Sequence, residues 1–302
     1  MKNTASAPSP SCARVHAPAR ARGFSLVEMA IVLLIVGLLA SVFLPATNTM
    51  LDNSRRKESR AKLEAIEQAM VRFVVVNGRL PCPANGALAP GNVAQGLEQP
   101  TPPGAVCTAI ALTNGVVPWR TLGLAQDDVT DAWNTMITYR VWAGATVPVG
   151  SSLAQSPTPG IPSGMKMSDL DPATQNPQIQ TFLQARGFRI CNTTPCALSS
   201  AAELSSRAGR TGAAYVLISH GANRVGGYSV DGVYQGTANG PGPGPREVIN
   251  FNAAAPRTAA PADFYIDATL AENPAAYYDD IVLRPTVMTV AQGADLGPRK
   301  AP

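Results

Sequence analysis

The chain has 302 residues, of which 15% are charged, and it contains 26 Gly and 27 Pro. This length allows one or two domains with their own cores, and the low charge and many turn-forming residues favour a loop-rich extracytoplasmic fold over a helical enzyme. The formal net charge of +4 comes from four bases in residues 1–23; the rest of the chain has 20 bases against 20 acids, which argues against nucleic acid as a partner.

Residues 1–23 are rich in Ala, Ser, Pro and Arg, a composition that predicts a processing leader rather than part of a core. The apolar run 24–44 follows and holds one charged residue, Glu28. As a helix rising about 1.5 Å per residue, this run would span roughly 30 Å, the thickness of a bilayer core, so it predicts a transmembrane helix. In a secretory signal the cleavage site follows the apolar region, whereas here the suggestive Gly23-Phe24 junction precedes it.

The segment Gly23-Phe-Ser-Leu-Val-Glu28 resembles the cleavage and methylation motif of type IV pilins and type II secretion pseudopilins. The resemblance implies that a prepilin peptidase cuts after Gly23 on the cytoplasmic side and N-methylates Phe24. It also implies that Glu28, the fifth mature residue, pairs with the charged N-terminus of a neighbouring subunit during assembly. An intramembrane acid is costly and is a functional candidate on physical grounds as well.

Residues 45–77 are predicted to continue the helix outside the membrane, with a kink at Pro45, where the family usually carries a helix-bending proline. An apolar stripe recurs at three- and four-residue steps. Its members are Leu63, Ile66, Ala69 or Met70, and Phe73. Asn77 followed by Gly78 predicts the end of the helix.

Residues 78–302 are predicted to form one globular α+β head, in which an antiparallel sheet packs on the outer half of the helix. Short β-like runs alternate with turn clusters and long loops. The predicted strands are 116–119 leading into 121–124, 136–142, 213–219 and 280–283, and the predicted loops are 83–106, 145–165 and 235–246. Core packing is the favoured role of Trp119, Trp133 and Trp142, although a sugar or peptide platform is an alternative.

The mature chain keeps four cysteines, an even number that predicts two disulfides in an oxidising compartment. Sequence proximity favours Cys82 with Cys107 and Cys191 with Cys196, among three pairings. Free buried thiols and a zinc site are the alternatives, and the spacing of Cys82 and Cys107 does not suit a zinc site.

Three short segments of the head resemble parts of major pseudopilins. They are Asp131-Ala-Trp-Asn134, the turn after Ile218, and Tyr278-Asp-Asp-Ile281. In the family the C-terminal acidic region binds calcium, which makes Asp279 and Asp280 candidate ligands here, although no cofactor is the favoured expectation. Two adjacent Asp are few for calcium, since Asn223 and Arg224 stand where an acid is expected. The length of the head favours a minor subunit.

The resemblance implies a single-pass protein of the bacterial inner membrane, with its leader in the cytoplasm and its head in the periplasm, that later enters a filament. Its predicted partners are prepilin peptidase, other pilin or pseudopilin subunits, an inner-membrane assembly platform and the lipid bilayer. A structural, non-enzymatic role is therefore predicted, in either a type II secretion pseudopilus or a type IV pilus. A tip adhesin whose head recognises a substrate, a surface or DNA is the alternative. A signal-anchored periplasmic hydrolase using Ser219, His220 and Asp263 or Asp267 is a remote one.

Overall fold

The computed structural model describes residues 25–100, 107–108, 112, 114–143, 152–154, 164–165, 187–196, 203–205, 212–236, 243–251 and 264–296, with residues 42–48 described by backbone alone. The chain divides into two compact units, Met1–Leu51 and Asp52–Pro302. Its fold is α+β, as predicted, with an N-terminal helix followed by a domain built mainly on antiparallel sheet.

Helix α1 spans Leu26–Asn77 and ends where the sequence predicts, because Gly78 follows with a positive φ of 64°. The Gly78 N–H still donates to the carbonyl of Val74 at 2.8 Å. Pro45 lies within α1, and the kink at this position stays a prediction. In the unit Met1–Leu51, the described apolar side chains of α1 are solvent-exposed, with Leu26 at 91% and Leu33 at 66%.

In the unit Asp52–Pro302, α1 buries one apolar stripe against the sheet. Its buried members are Leu63, Ile66, Ala69, Met70 and Val74. The prediction was wrong at its last position, because the stripe continues at Val74 rather than Phe73. Phe73 is only half-buried and lies under the guanidinium of Arg79, whose Cζ is 5.2 Å from the ring centroid.

In the described part of this unit, five strands form the main sheet: β1 Ala84–Asn85, β2 Gly115–Val116, β4 Thr138–Val141, β7 Tyr215–Ser219 and β10 Ile281–Leu283. Their order in the sheet is β1-β2-β4-β7-β10, and every neighbouring pair is antiparallel. β4 and β7 form the centre, and all of their residues are buried. The predicted strands 136–142, 213–219 and 280–283 therefore contain observed ones.

Two smaller sheets complete the described part of this unit. One pairs β3 Thr135–Met136 with β8 Tyr228–Ser229. The other joins β5 Arg189–Cys191 to β6 Glu203–Ser205 and, in parallel, to β9 Phe264–Ile266. The sequence predicted only antiparallel pairing, and this prediction was wrong for the pair β5 and β9, which is parallel. A parallel pair requires a long crossover, and more than 70 residues separate β5 from β9.

Among the described residues, two short α-helices were not predicted. The run 119–124 contains helix α2 Trp119–Leu122 instead of a strand, because Pro118 starts a turn and Gly123 ends it in the left-handed region. Helix α3 Val287–Gly293 is capped by the hydroxyl of Thr286, which accepts from the Thr289 N–H at 3.1 Å. The three tryptophans are at most 9% exposed, which supports core packing rather than a surface platform.

Candidate functional site

Glu28 lies in the first turn of α1, while Gly23 and Phe24, at the predicted cleavage junction, lie outside the described residues. A carboxylate oxygen of Glu28, Oε2, accepts from the Ser25 N–H at 3.4 Å. A carboxylate is favoured here, because the first backbone N–H groups of a helix lack partners and carry partial positive charge. Glu28 is also the sole charged residue between Ser25 and Leu51.

In the part of the chain that the structure describes, none of the helices offers a stretch of sufficient length and apolarity to cross a bilayer.

The structure contains two disulfides, Cys82–Cys107 and Cys191–Cys196, which are the pairs that sequence proximity favours. The first joins residues 25 positions apart, and the second joins residues only 5 apart. Both cysteines of the first pair are almost fully buried beside the end of α1. Near them, Arg79 makes a two-pronged ion pair with Glu98, at 2.8 and 2.9 Å, and Glu98 also accepts from the Cys82 N–H.

We expect the Cys82–Cys107 disulfide to stabilise the fold more than the Cys191–Cys196 disulfide, because it closes the longer loop of the unfolded chain. Loop-closure entropy predicts a loss of about 3 kcal/mol for the double variant Cys82→Ser/Cys107→Ser, and about 2 kcal/mol for Cys191→Ser/Cys196→Ser. Urea unfolding of both variants measures the difference. Equal losses, or a larger loss at the shorter loop, would contradict this ranking.

The turn after β7 and the segment before β10 are brought together by the antiparallel pairing of Ser219 with Ile281. Asp279 lies at the centre of this contact. Its Oδ2 accepts from the N–H groups of Ala222 and Asn223, at 2.7 and 3.2 Å, and from the Tyr277 hydroxyl at 2.9 Å. These contacts join the turn after β7 and the segment before β10 into one site.

Gly221 makes this contact possible. Its φ is +60°, and a Cβ built there would lie 2.5 Å from Cγ of Asp279 and 2.7 Å from its backbone oxygen. Glycine is therefore required at this position for both conformation and space.

Three buried acids, Glu247, Asp279 and Asp280, form a cluster in which one carboxylate oxygen from each lies within 4.8 Å of the others. All three are at most 7% exposed. Glu247 accepts from the Asp279 N–H at 2.8 Å and from the Asn223 side-chain amide at 3.0 Å. Asp280 accepts from the Asn250 amide at 2.8 Å. The sequence prediction included Asp279 and Asp280 but missed Glu247.

The environment of this cluster disfavours three negative charges. Burial, with added repulsion from Asp280 and Asp279, raises the pKa of Glu247 to about 9. Burial also raises the pKa of Asp280, against the opposing effect of His220. Oδ1 of Asp279 is buried and accepts no hydrogen bond from any described residue. Oδ1 of Asp280 is also buried and faces His220 Nδ1 at 3.5 Å. Such a cluster is stabilised either by a shared proton or by a cation.

The residues of the alternative hydrolase site do not form a triad among the described residues. The Ser219 hydroxyl donates to Asp131 at 2.6 Å, and the His220 Nε2 pairs with the Thr138 hydroxyl at 2.9 Å. Asp267 pairs with Arg284 at 2.7 Å, and Asp263 lies outside the described residues. Ser219 and His220 are both fully buried, and the Ser219 hydroxyl donates to Asp131 rather than to His220, so these residues do not form a nucleophile and its base.

Asp131 has a structural role in the turn formed by residues 131–134. Its Oδ1 accepts from the Trp133 and Thr135 N–H groups at 3.0 and 2.9 Å. These bonds hold the turn in which Asn134 takes a positive φ of 65°. Burial raises the pKa of Asp131, while the hydrogen bonds from Ser219 and the backbone act in the opposite direction.

Residues 18–44 match the family model of the prokaryotic N-terminal methylation motif. This match confirms the recognition made from the sequence: the chain carries a prepilin-type motif, consistent with type IV pilins and pseudopilins, whose members are structural subunits. No curated protein and no solved structure is significantly similar to the chain.

Proposed function

We propose that this chain is a prepilin or pseudopilin, cleaved after Gly23, N-methylated at Phe24 and assembled into a filament. The observation that carries the proposal is the methylation motif at residues 18–44, with Glu28 in the first turn of the helix that follows. Prepilin peptidase and other pilin-type subunits are the partners that this motif implies. The proposed domain organisation is a leader at 1–23, an anchor at 24–44, a helix at 45–77 and a head at 78–302.

The proposed anchor lies in the bacterial inner membrane, with the head in the periplasm. Two features support it: residues 25–51 contain one charged residue, and the described apolar side chains of this segment are exposed rather than packed in a core. A helix with apolar side chains around its whole circumference suits lipid or the apolar interior of a filament. Both described disulfides lie in the proposed head, as expected in an oxidising compartment.

The proposed subunit is a minor one, because its head is longer than that of small major subunits. It serves a type II secretion pseudopilus or a type IV pilus, docked on an inner-membrane platform; the shared N-terminal motif does not distinguish the two machines. The alternative is a tip subunit whose head recognises a substrate, a surface or DNA.

Processing is tested by replacing Gly23. We expect Gly23→Val to remain at full length when prepilin peptidase is co-expressed, because a side chain at this position crowds the peptidase site. The matched control is Gly37→Ala, since Gly37 has no atom within 4 Å of an added Cβ and should be processed normally. The measurement is the intact mass of each membrane-extracted protein. Cleavage of Gly23→Val to the wild-type mature mass would refute the proposed junction.

The acid cluster supports a second proposal, that the head binds calcium through Glu247, Asp279 and Asp280. The buried Oδ1 atoms of both aspartates fit a hard cation, which prefers carboxylate oxygens and would neutralise their charge. The remaining oxygens of the cluster already accept hydrogen bonds, so backbone carbonyls or water would complete the six to eight ligands that calcium requires. The ion would then stabilise the turn after β7 against the segment before β10.

Calcium binding should raise the melting temperature of the detergent-solubilised chain, since a ligand at 100 times its Kd adds about 2.7 kcal/mol of stability. Magnesium at the same concentration should have a smaller effect, because it demands a stricter geometry. Glu247→Gln should abolish the calcium effect. Glu272→Gln is the matched control, since Glu272 is exposed and lies outside the cluster. A melting temperature independent of calcium in the wild-type chain would rule out the site.

A further inference from the structure

A cleft of about 830 Å³ opens on the surface of the unit Asp52–Pro302. Three arginines, Arg56, Arg60 and Arg246, line it together with residues of the Cys191–Cys196 loop, the segment after β9 and the start of β10. We call it the arginine cleft. A second cavity of about 230 Å³ shares Arg60 and Ile281 with it and continues along β10 to Leu283.

Among the described residues that line the arginine cleft, three arginines stand against two aspartates, and both aspartates have partners other than these arginines. Asp267 accepts from Arg284 Nε at 2.7 Å. The side chain of Asp280 is only 1% exposed and belongs to the buried acid cluster, where it faces His220 and Asn250. Neither carboxylate is therefore paired with an arginine of the cleft.

Arg56 and Arg246 are held in place without a carboxylate partner among the described residues. Arg56 donates to the Asp279 carbonyl at 3.3 Å, and its Cζ lies 5.9 Å from the Trp133 ring centroid. Arg246 donates to the Ala276 carbonyl at 3.1 Å, and its Cζ lies 5.6 Å from the Tyr278 ring centroid. A guanidinium has five N–H donors, so each keeps several for an anion while its orientation is already fixed.

Arg60 lies one helical turn after Arg56 on α1 and is exposed. Its side chain makes no hydrogen bond or ion pair with any residue in the described ranges. Two fixed guanidiniums and one exposed guanidinium in a single cleft suit a ligand with more than one carboxylate, since arginine binds carboxylates through paired hydrogen bonds.

The remaining walls of the cleft favour a peptide over an isolated phosphate. Leu204 and Leu270 line it and are 43% and 48% exposed, so apolar surface lies beside the arginines. Among the strands that the structure describes, β10 is the terminal one of the five-stranded sheet and pairs with β7 alone. An extended chain with alternating acidic and apolar side chains could contact the arginines and these leucines while lying along the edge of the sheet.

We propose that the arginine cleft binds an acidic, partly apolar peptide segment of a partner protein. The complementary charge supplies the specificity, and the exposed leucines supply buried apolar area. This proposal does not depend on the filament role, because none of the three arginines belongs to the methylation motif. The cleft adjoins the acid cluster, since Asp280 lines it and Arg56 donates to the Asp279 carbonyl.

The test is fluorescence anisotropy with the full chain in detergent and a labelled peptide, Asp-Leu-Glu-Val-Asp-Leu-Glu. The matched amide peptide, Asn-Leu-Gln-Val-Asn-Leu-Gln, should bind at least about tenfold more weakly, because it lacks the charges that pair with the arginines. Arg60→Glu should also weaken binding of the acidic peptide by about tenfold or more. Arg72→Glu is the matched control, an exposed arginine on the same helix that does not line the cleft, and should leave binding within about twofold.

Several results would overturn the proposal. Equal binding of the acidic and amide peptides by the wild-type chain would overturn it. An unchanged affinity of Arg60→Glu for the acidic peptide would also overturn it. Displacement of the peptide by inorganic phosphate or by phosphatidylglycerol vesicles, with the same dependence on Arg60, would assign the cleft to phosphate groups. Self-association that is lost in Arg60→Glu, without any peptide binding, would assign it to a second copy of this chain.

Discussion

Glu28→Gln should be cleaved, methylated and inserted like the wild-type chain, yet its incorporation into filaments should fall by about tenfold or more. In the proposed assembly, the Glu28 carboxylate neutralises the charged N-terminus of a neighbouring subunit inside an apolar environment. A glutamine there leaves that ammonium group buried and unpaired, and a loss of only 1.4 kcal/mol already corresponds to tenfold. The local role of Glu28 in accepting from the Ser25 N–H could still be served by the glutamine oxygen.

The measurement for Glu28 is the fraction of the subunit in sheared filaments, determined by immunoblot in cells that express its assembly machinery. Glu58→Gln is the matched control, because Glu58 is an exposed acid on the same helix that pairs with Lys62 at 3.3 Å. We expect this control to assemble normally, since exposed ion pairs contribute little. Wild-type incorporation of Glu28→Gln would exclude the proposed pairing, whereas a loss of membrane insertion would mean that the variant tests a different step.

Gly221→Ala should destabilise the unit Asp52–Pro302 by about 3 kcal/mol. The positive φ costs about 1 kcal/mol for a residue with a side chain. The new methyl group would also displace Asp279, whose Cγ lies 2.5 Å from the Cβ position. Losing the hydrogen bonds that Asp279 accepts from Ala222 and Asn223 would leave buried polar groups unpaired, at a further cost of about 2 kcal/mol.

Gly123→Ala provides a control for this prediction. Gly123 also has a positive φ, of 72°, but no atom lies within 4 Å of its added Cβ. We expect this variant to lose only the backbone contribution of about 1 kcal/mol. The difference between the two variants in urea unfolding therefore isolates the contact with Asp279. Equal losses would show that Gly221 is required for its conformation alone.

Sequence patterns within a single segment predicted the end of α1, its buried stripe and the central strands, because interactions between nearby residues determine these features. The end of α1 at Asn77 follows from the glycine after it, and the buried stripe follows from helical periodicity, with the single error at Phe73. The central strands β4 and β7 were predictable because they are short runs rich in β-branched and aromatic residues. The resemblance also made Asp279 and Asp280 candidate ligands, and both lie in the buried acid cluster.

The features that sequence reasoning missed depend on contacts between distant segments. Glu247 accepts a hydrogen bond from the N–H of Asp279, which lies 32 residues later in the chain. Arg56 donates to the carbonyl of Asp279, which lies 223 residues later in the chain. Glu247 follows a Gly- and Pro-rich run that has no periodic pattern, so its burial could not be read from its neighbours. The parallel pairing of β5 with β9 is equally non-local, because their register depends on the long intervening chain.

Whether this chain is a prepilin is tested by the intact mass and N-terminal sequence of the membrane-extracted protein, with and without co-expressed prepilin peptidase. With the peptidase present, we expect the chain to begin at Phe24 and to carry one added methyl group. Without the peptidase it should begin at Met1. A chain that still begins at Met1 in the presence of an active peptidase, in cells that process a known prepilin, would show that this protein is not a prepilin.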